Sequence, residues 1–205
     1  KVCKHAVIVG GGLIGIELAE MLNSRNIPVT FLVRESSFWN GVLPTVESEM
    51  INRHIISHHI DLRLSSNLKQ IISDENGSVK SIVIEETDEE IACDLVGLTA
   101  GVSPNIEFLK STDIEVSRGV LVNRHLETNI PNIYAVGDVS GRIALVNMGE
   151  IEARHAVEKI FGNKIQKLCY DNVCTIMFLK PEVASVGLNE KQCLEQNIPV
   201  KVVKV

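Results

Sequence analysis

No apolar run in this sequence approaches the roughly 20 residues that a membrane-spanning helix needs, so no such helix is expected. Basic residues are not in surplus either. Lys and Arg number 20 against 26 Asp and Glu, and the formal net charge of −6 offers no attraction to nucleic acid or to an anionic membrane. The five cysteines, Cys3, Cys93, Cys169, Cys174 and Cys193, are odd in number and scattered. They do not form a disulfide framework, and a reducing cytoplasm is the expected compartment. No internal repeat or low-complexity segment appears, and Lys1 to His5 lead straight into a strand pattern, so no signal peptide is expected. With 45% hydrophobic and 22% charged residues, the chain has material for a packed core and is not disordered by composition. Its 205 residues suit one medium domain, or one domain plus pieces of others.

Periodicity organises the first part of the chain. His5 to Val9 reads as a strand, Leu13 to Leu22 as a helix with Glu17 and Glu20 off its apolar face, and Pro28 to Val33 as a second strand. Thr45 to Ser57 is helical in pattern, and Ile60 to Leu64 alternates as a strand. That order predicts parallel strands joined by right-handed crossovers. Leu68 to Ile72, Val79 to Glu85 and Glu90 to Ala92 then form an antiparallel meander, because Asn76-Gly77 supplies a tight hairpin turn. Asp94 to Thr99 returns as a buried strand, and Val116 to Val122 is a second antiparallel piece turning at Gly119. A buried strand is expected over Ile133 to Val136. A helix is expected over Ala144 to Phe161, stopped by Gly162, with a connector over Asn163 to Asp171. Two strands, a helix over Asn189 to Gln196 and a last strand reaching Val205 complete the pattern.

Gly10-Gly11-Gly12-Leu13-Ile14-Gly15 matches G-x-G-x-x-G between a strand and a helix. In that context the first glycine permits the tight turn and the second admits a pyrophosphate close to the backbone. The third lets helix and strand approach, and the helix amides face the phosphates. An acid placed ~20 residues on, at the end of the second strand, would hold the ribose 2′-hydroxyl of NAD. Here Val33 is followed by Arg34 and Glu35. Arg34 suits a 2′-phosphate and inclines the reading toward NADP; the alternative is a solvated Arg34 with Glu35 on the hydroxyl.

Three further stretches make the resemblance specific. Ile8 to Ala19 continues the glycine turn as Ile14-Gly15-Ile16-Glu17, Asp94 to Asn105 contains Thr99-Ala100-Gly101, and Thr128 to Val139 contains Ala135-Val136-Gly137-Asp138. In this order they resemble the pyridine nucleotide-disulfide oxidoreductases, which include dihydrolipoamide dehydrogenase, glutathione reductase and mercuric reductase. Tyr170 to Val173 and Phe178 to Leu188 are similar to the opening of that family's dimerisation domain.

The resemblance implies an α/β chain: a Rossmann-like three-layer dinucleotide-binding domain with an antiparallel β-meander, plus pieces of two others. The expected boundaries are 1–122 for the NAD(P)-binding domain, 123–165 for the C-terminal part of the FAD-binding domain and 166–205 for the start of the dimerisation domain. It further implies that Gly10 to Gly15, Val33, Arg34, Ala100 and Gly101 bind NAD(P)H. Glu17 would pair with a lysine near the flavin and help place the nicotinamide. Gly137 and Asp138, with the helix start at Leu145 and Val146, would contact FAD in the full-length protein. Leu13 stands where a gating tyrosine is common, and Asn147 where many lipoamide-type members have histidine.

The implied activity is that of an FAD-dependent NAD(P)H oxidoreductase. It would pass hydride from NAD(P)H to FAD and on to a disulfide or other small-molecule acceptor, or the reverse, as a homodimer without nucleic-acid or membrane partners. The chain has no earlier glycine motif for the flavin ADP, no helix of redox cysteines and no His-x-x-x-x-Glu base. It is therefore expected to be a fragment that binds NAD(P) without completing a catalytic cycle. The alternatives are a stand-alone NAD(P)-sensing module without catalytic flavin and, last, a methyltransferase with a similar glycine turn, which leaves Gly137-Asp138 unexplained.

Other features have plainer readings. Cys169 and Cys174 share the spacing of the family's redox pair but lie in a connector, which makes the match a coincidence. His54, His58 and His59 suit a solvated helix end and no metal site is expected. Glu150 and Arg154 suit an i, i+4 surface pair. Trp39, beside Phe38, is expected to pack the nucleotide domain, with covering the adenine as its alternative.

Overall fold

The computed structural model describes residues 2–162, 166–178 and 182–203. The chain divides into two compact units, Lys1–Gly101 with Ile176–Val205, and Val102–Thr175.

In the first unit, β1 (Ala6–Val9), α1 (Leu13–Asn23), β2 (Val29–Val33), α2 (Thr45–Ser57), β3 (Asp61–Leu64) and β7 (Leu95–Leu98) form the nucleotide-type half. Between β3 and β7 lie β4 (Leu68–Ser73), β5 (Val79–Ile84) and β6 (Glu90–Ala92). The parallel sheet has the order β3-β2-β1-β7, and β4-β5-β6 is a separate antiparallel sheet. Strand alternation explains the layers. Ala6, Ile8, Val29, Phe31 and Val33 point to one face, where Ile16, Ala19 and Leu22 of α1 and Ile51 and Ile55 of α2 cover them. Val7 and Leu32 point to the other, where Ile82 and Ile84 of β5 and Cys93 close over them. A sheet buried on both faces needs continuous apolar strands, which is why β2 reads Val-Thr-Phe-Leu-Val without a polar stripe. Its single polar residue, Thr30, is satisfied by His5 and Asp61. Phe38 is fully buried, and Trp39 packs partly buried against the helix-side core, as expected of Trp39.

The second unit is poorer in regular structure. A hairpin turns at Gly119, with a bridge from Val116 to Val120. The helix α3 (Val146–Ile160) ends at Phe161 and Gly162, the latter left-handed at φ +79° as a helix-stopping glycine should be. The expected buried strand over Ile133–Val136 is corrected. The stretch makes one isolated bridge, Glu127 to Tyr134, and Ile133 is 40% exposed. An apolar β-rich segment becomes a strand only against a neighbouring ladder, and the described residues of this unit offer it a single rung. Glu150 and Arg154 form the expected i, i+4 pair at 4.0 Å.

The chain then returns to the first unit through β8 (Cys174–Met177), β9 (Val183–Val186) and the short α4 (Glu190–Glu195). The last expected strand is absent over the described residues Ile198 to Val203, all of which are exposed. Residues 163–165 of the expected connector, 179–181 of the dimerisation-like motif, and 204–205 lie outside the described residues. Cys169 and Cys174 are free and exposed. Among the described residues, no helix is long and apolar enough to cross a membrane, and no group of three His, Cys, Asp or Glu could hold a metal ion.

Two imidazoles resist protonation. Burial, then the His58 charge, holds His54 below 6.5 against a weaker opposing pull from Glu20. Burial, then the His125 charge, does the same to His155, with Glu158 opposing and Lys159 adding to it. The unfolded chain therefore binds more protons below pH 6.5, so this contribution is whole above that pH and is lost as pH falls through it. Thermal unfolding is expected to shift to lower temperature between about pH 7.5 and about pH 5.5. A His54→Gln/His155→Gln protein should show a shallower slope over that window, and an unchanged slope would show that these imidazoles do not cause it.

Candidate dinucleotide-binding site

The parallel sheet reverses its direction of construction between β1 and β7, since β2 and β3 extend from one side of β1 and β7 joins on the other. Ligands of open α/β sheets sit outside the carboxyl ends of the strands at such a point. A cavity of about 370 Å³ opens there, lined on one side by Val9 to Gly12 and on the other by Thr99 to Gly101.

Thr99 holds these two edges together. Its amide donates to the Val9 carbonyl at 2.8 Å, and its hydroxyl lies 2.9 Å from that oxygen and 3.2 Å from the Gly10 carbonyl. The glycines divide by what surrounds them. A Cβ on Gly10, already at φ +120°, would lie 2.6 Å from the Thr99 oxygen, and one on Gly15 would lie 2.2 Å from the Gly10 oxygen. Those two positions are closed by the protein itself. A Cβ on Gly12 would meet nothing within 4 Å, so its space is open.

Gly12 is also the N-cap of α1, which has neither a side-chain cap nor an acidic residue in its first turn. The amides of Leu13 and Ile14 consequently have no acceptor among the described residues. Unsatisfied amides and a positive helix end are what an anionic group needs, and the open approach at Gly12 lets one come near the backbone. The residues present fit a dinucleotide pyrophosphate.

At the rim, Arg34 donates from Nη2 to Glu35 Oε1 at 2.9 Å and from Nε at 3.3 Å. The Arg34 side chain remains 76% exposed, and that of Glu35 36%. Val33 is fully buried beneath Gly11, whose Cβ would fall 2.8 Å from Val33 Cγ1. The structure thus gathers Gly10, Gly11, Gly12, Arg34, Ala100 and Gly101 around one cavity, with Leu13, Ile14 and Gly15 opening the adjoining helix. Glu17 lies exposed on α1, outside the cavity lining.

Sequence reasoning missed Thr99 as a clasp, and it missed Ser66 and Asn67 at the far rim. Ser66 donates to the Val33 carbonyl at 3.0 Å, and Asn67 donates to Glu86 through its backbone at 2.9 Å and its side chain at 2.7 Å. The Asn67 backbone and side-chain donors hold the Glu86 carboxyl below its ordinary range. No motif marks these residues, because the β3–β4 junction brings them to the rim through topology alone.

The other expected residues belong to the second unit. Gly137, at φ +71°, opens a 3₁₀ turn over Gly137–Ser140, and the Asp138 side chain is exposed. The helix α3 starts after Leu145 with no side-chain cap, and Val146 is 84% exposed. Turn and helix approach closely at their glycines, since a Cβ on Gly149 would lie 3.7 Å from the Gly137 Cα. An exposed carboxylate and an uncapped helix start fit a ligand that offers hydroxyls and negative charge, as FAD does.

A family model described as pyridine nucleotide-disulphide oxidoreductase matches residues 1–153. The chain is 31% identical over 204 residues to a dihydrolipoyl dehydrogenase of Buchnera aphidicola subsp. Schizaphis graminum, covering 96% of this chain and 42% of the relative. It is 29% identical to a trypanothione reductase of Trypanosoma congolense, covering 92% of this chain and 39% of that protein. Among solved structures, the HOCl-induced flavoprotein disulfide reductase RclA of Escherichia coli superposes with a TM-score of 0.82 at 26% identity, over 95% of this chain and 45% of that one. The chain therefore spans less than half the length of these proteins. With the matched model covering the glycine turn, the Ala100-Gly101 edge and the Gly137-Asp138 turn alike, the chain belongs to the pyridine nucleotide-disulphide oxidoreductase family.

Proposed function

We propose that this chain is the NAD(P)H-binding portion of an FAD-dependent oxidoreductase. Its observational support is the open approach at Gly12, beside helix amides without acceptors, at the switch point of the parallel sheet. The coenzyme's pyrophosphate rests on the Gly10–Gly15 turn, and Ala100 and Gly101 flank its nicotinamide half. Glu17, by the family pattern, orients the nicotinamide in the whole protein. The coenzymes supply the hydride chemistry, and the protein supplies binding, orientation and electrostatics. Asp138 accepts hydrogen bonds from the flavin's ribityl hydroxyls, and the start of α3 at Leu145 and Val146 directs positive potential at it. The electron acceptor is a disulfide or another small oxidant, and the full-length protein works as a homodimer in the cytoplasm.

Calorimetric titration with NADPH and NADH tests the reading on this chain, and saturable binding to neither would remove it. Arg34 inclines the site toward NADPH. Its contact with Glu35 leaves other guanidinium N–H groups for a 2′-phosphate, and its exposure keeps the desolvation cost small. Arg34→Ala should weaken NADPH by about 10-fold or more, the worth of one charge-assisted contact, while NADH changes little. Glu35→Ala should weaken NADH more than NADPH. Equal losses for both coenzymes in both variants would move the 2′ position away from this rim.

A further inference from the structure

Glu152 is the only carboxylate in the buried set of described residues, at 1% exposure. A carboxylate taken out of water is costly unless donors saturate it. The Gly137 amide donates to Glu152 Oε2, and the Tyr170 hydroxyl donates to Oε1 at 2.8 Å. Two guanidinium groups attend the Tyr170 ring, Arg142 at 5.2 Å and Arg124 at 5.8 Å from its centroid, and add positive potential to this part of the unit. Each cation is tethered in turn, Arg142 to the Val122 carbonyl and Arg124 to the Leu168 carbonyl.

The contacts converge on the turn that carries Asp138. Gly137 gives its amide to Glu152, and its carbonyl accepts from the Ser140 hydroxyl at 2.8 Å. Gly141 donates to the Asp138 carbonyl, and Val120 donates to that of Val139, both at 2.9 Å. The backbone on both sides of Asp138 is therefore pinned while its side chain stays exposed. Of these ties, Glu152 is the one that binds the turn to α3 through a side chain.

We propose that Glu152 is a positioning residue: its buried carboxylate fixes Gly137, and so the aim of Asp138, with Tyr170 as its second donor. The consequence for a flavin rests on the reading of Asp138 given above; the fixing of the turn does not. Burial first, and then the hydrogen bond and charge of Glu152, raise the Tyr170 phenol above 10.0 against a smaller opposing effect of Arg142. Because the chain has only two tyrosines, Tyr134 and Tyr170, ultraviolet titration in a Tyr134→Phe background reports Tyr170 alone.

The test uses this chain with Glu152→Gln, Glu152→Ala and Tyr170→Phe, read by amide exchange at Gly137 and by phenol titration. Glu152→Ala should speed exchange at Gly137 by about 10-fold or more. Glu152→Gln, whose single amide oxygen cannot serve both donors well, should let Tyr170 ionise at lower pH and speed Gly137 exchange less. Tyr170→Phe should leave Gly137 protected, which separates a specific contact from loosening of the whole unit. Unchanged exchange in Glu152→Ala, or equal loss of protection in all three variants, would overturn the proposal. Flavin affinity of Asp138→Asn in the full-length protein tests the flavin reading separately: no loss there refutes that reading, while the role of Glu152 stands or falls with the exchange rates.

Discussion

Gly12→Asp is expected to keep the fold and lose the coenzyme. The backbone at Gly12 lies at φ −96° and ψ 178°, which any residue adopts, and a Cβ there meets nothing within 4 Å. Aspartate is moreover a favoured N-cap, whose carboxylate accepts from the amides of the first helical turn, so α1 gains a few tenths of a kcal/mol from it. Those same amides are the donors to the pyrophosphate. The substitution fills the approach, occupies the donors and adds a negative charge facing another. NAD(P)H affinity should fall by about 100-fold or more, roughly 2.7 kcal/mol, while the unfolding temperature holds or rises slightly. Calorimetry and thermal unfolding on the same sample read both quantities. A variant that binds normally would show that nothing anionic approaches Gly12.

Gly15→Ala should do the reverse, injuring the fold first. Its Cβ would lie 2.2 Å from the Gly10 oxygen, 2.8 Å from Thr99 Oγ1 and 3.1 Å from Phe31 Cε2. The nearest of these atoms is backbone, pinned through the Gly10 amide to Leu32 and through Thr99 to Val9, so α1 must move away from the sheet. Overpacking of this kind costs about 3 kcal/mol, the upper end of the ordinary range. For a chain of this size that lowers the unfolding temperature by roughly 6–12 °C. An unfolding temperature within about 2 °C of the parent would mean that α1 and β1 are not held as tightly as the Thr99 clasp implies.

The two glycines show what the sequence reveals and what it withholds. Strand and helix periods locate β1, α1, β2 and α2 almost to the residue, because each element faces a core and repeats with its own period. The Asn76-Gly77 turn marks the meander for the same local reason. The G-x-G-x-x-G spacing marks the glycines, but only the fold shows that Gly15 is closed by protein and Gly12 is not. Thr99 sits far from the turn in sequence and reaches it because β7 pairs beside β1, a relation that periodicity does not encode.

The misreadings have a similar cause. Ile133 to Val136 has strand composition, and the ladder partners that would make it a strand are a tertiary matter. Glu152 left a fainter signal. Met148, Glu152 and Ala156 are spaced four apart along the buried stripe of α3, so an acid was predictable on a core face, whereas its donors Gly137 and Tyr170 were not. The Glu150–Arg154 pair on the exposed side was legible because both partners lie on one helix.

Backbone amide mapping during titration with NADPH and NADH is the most direct test of the central claim, that the opening of α1 is a coenzyme cradle. The expected result is saturable change concentrated at Gly10 to Gly15, Arg34, Glu35, Ala100 and Gly101, lost in Gly12→Asp. Saturable binding that maps elsewhere, or amides at Gly10 to Gly15 that ignore both coenzymes, would contradict it.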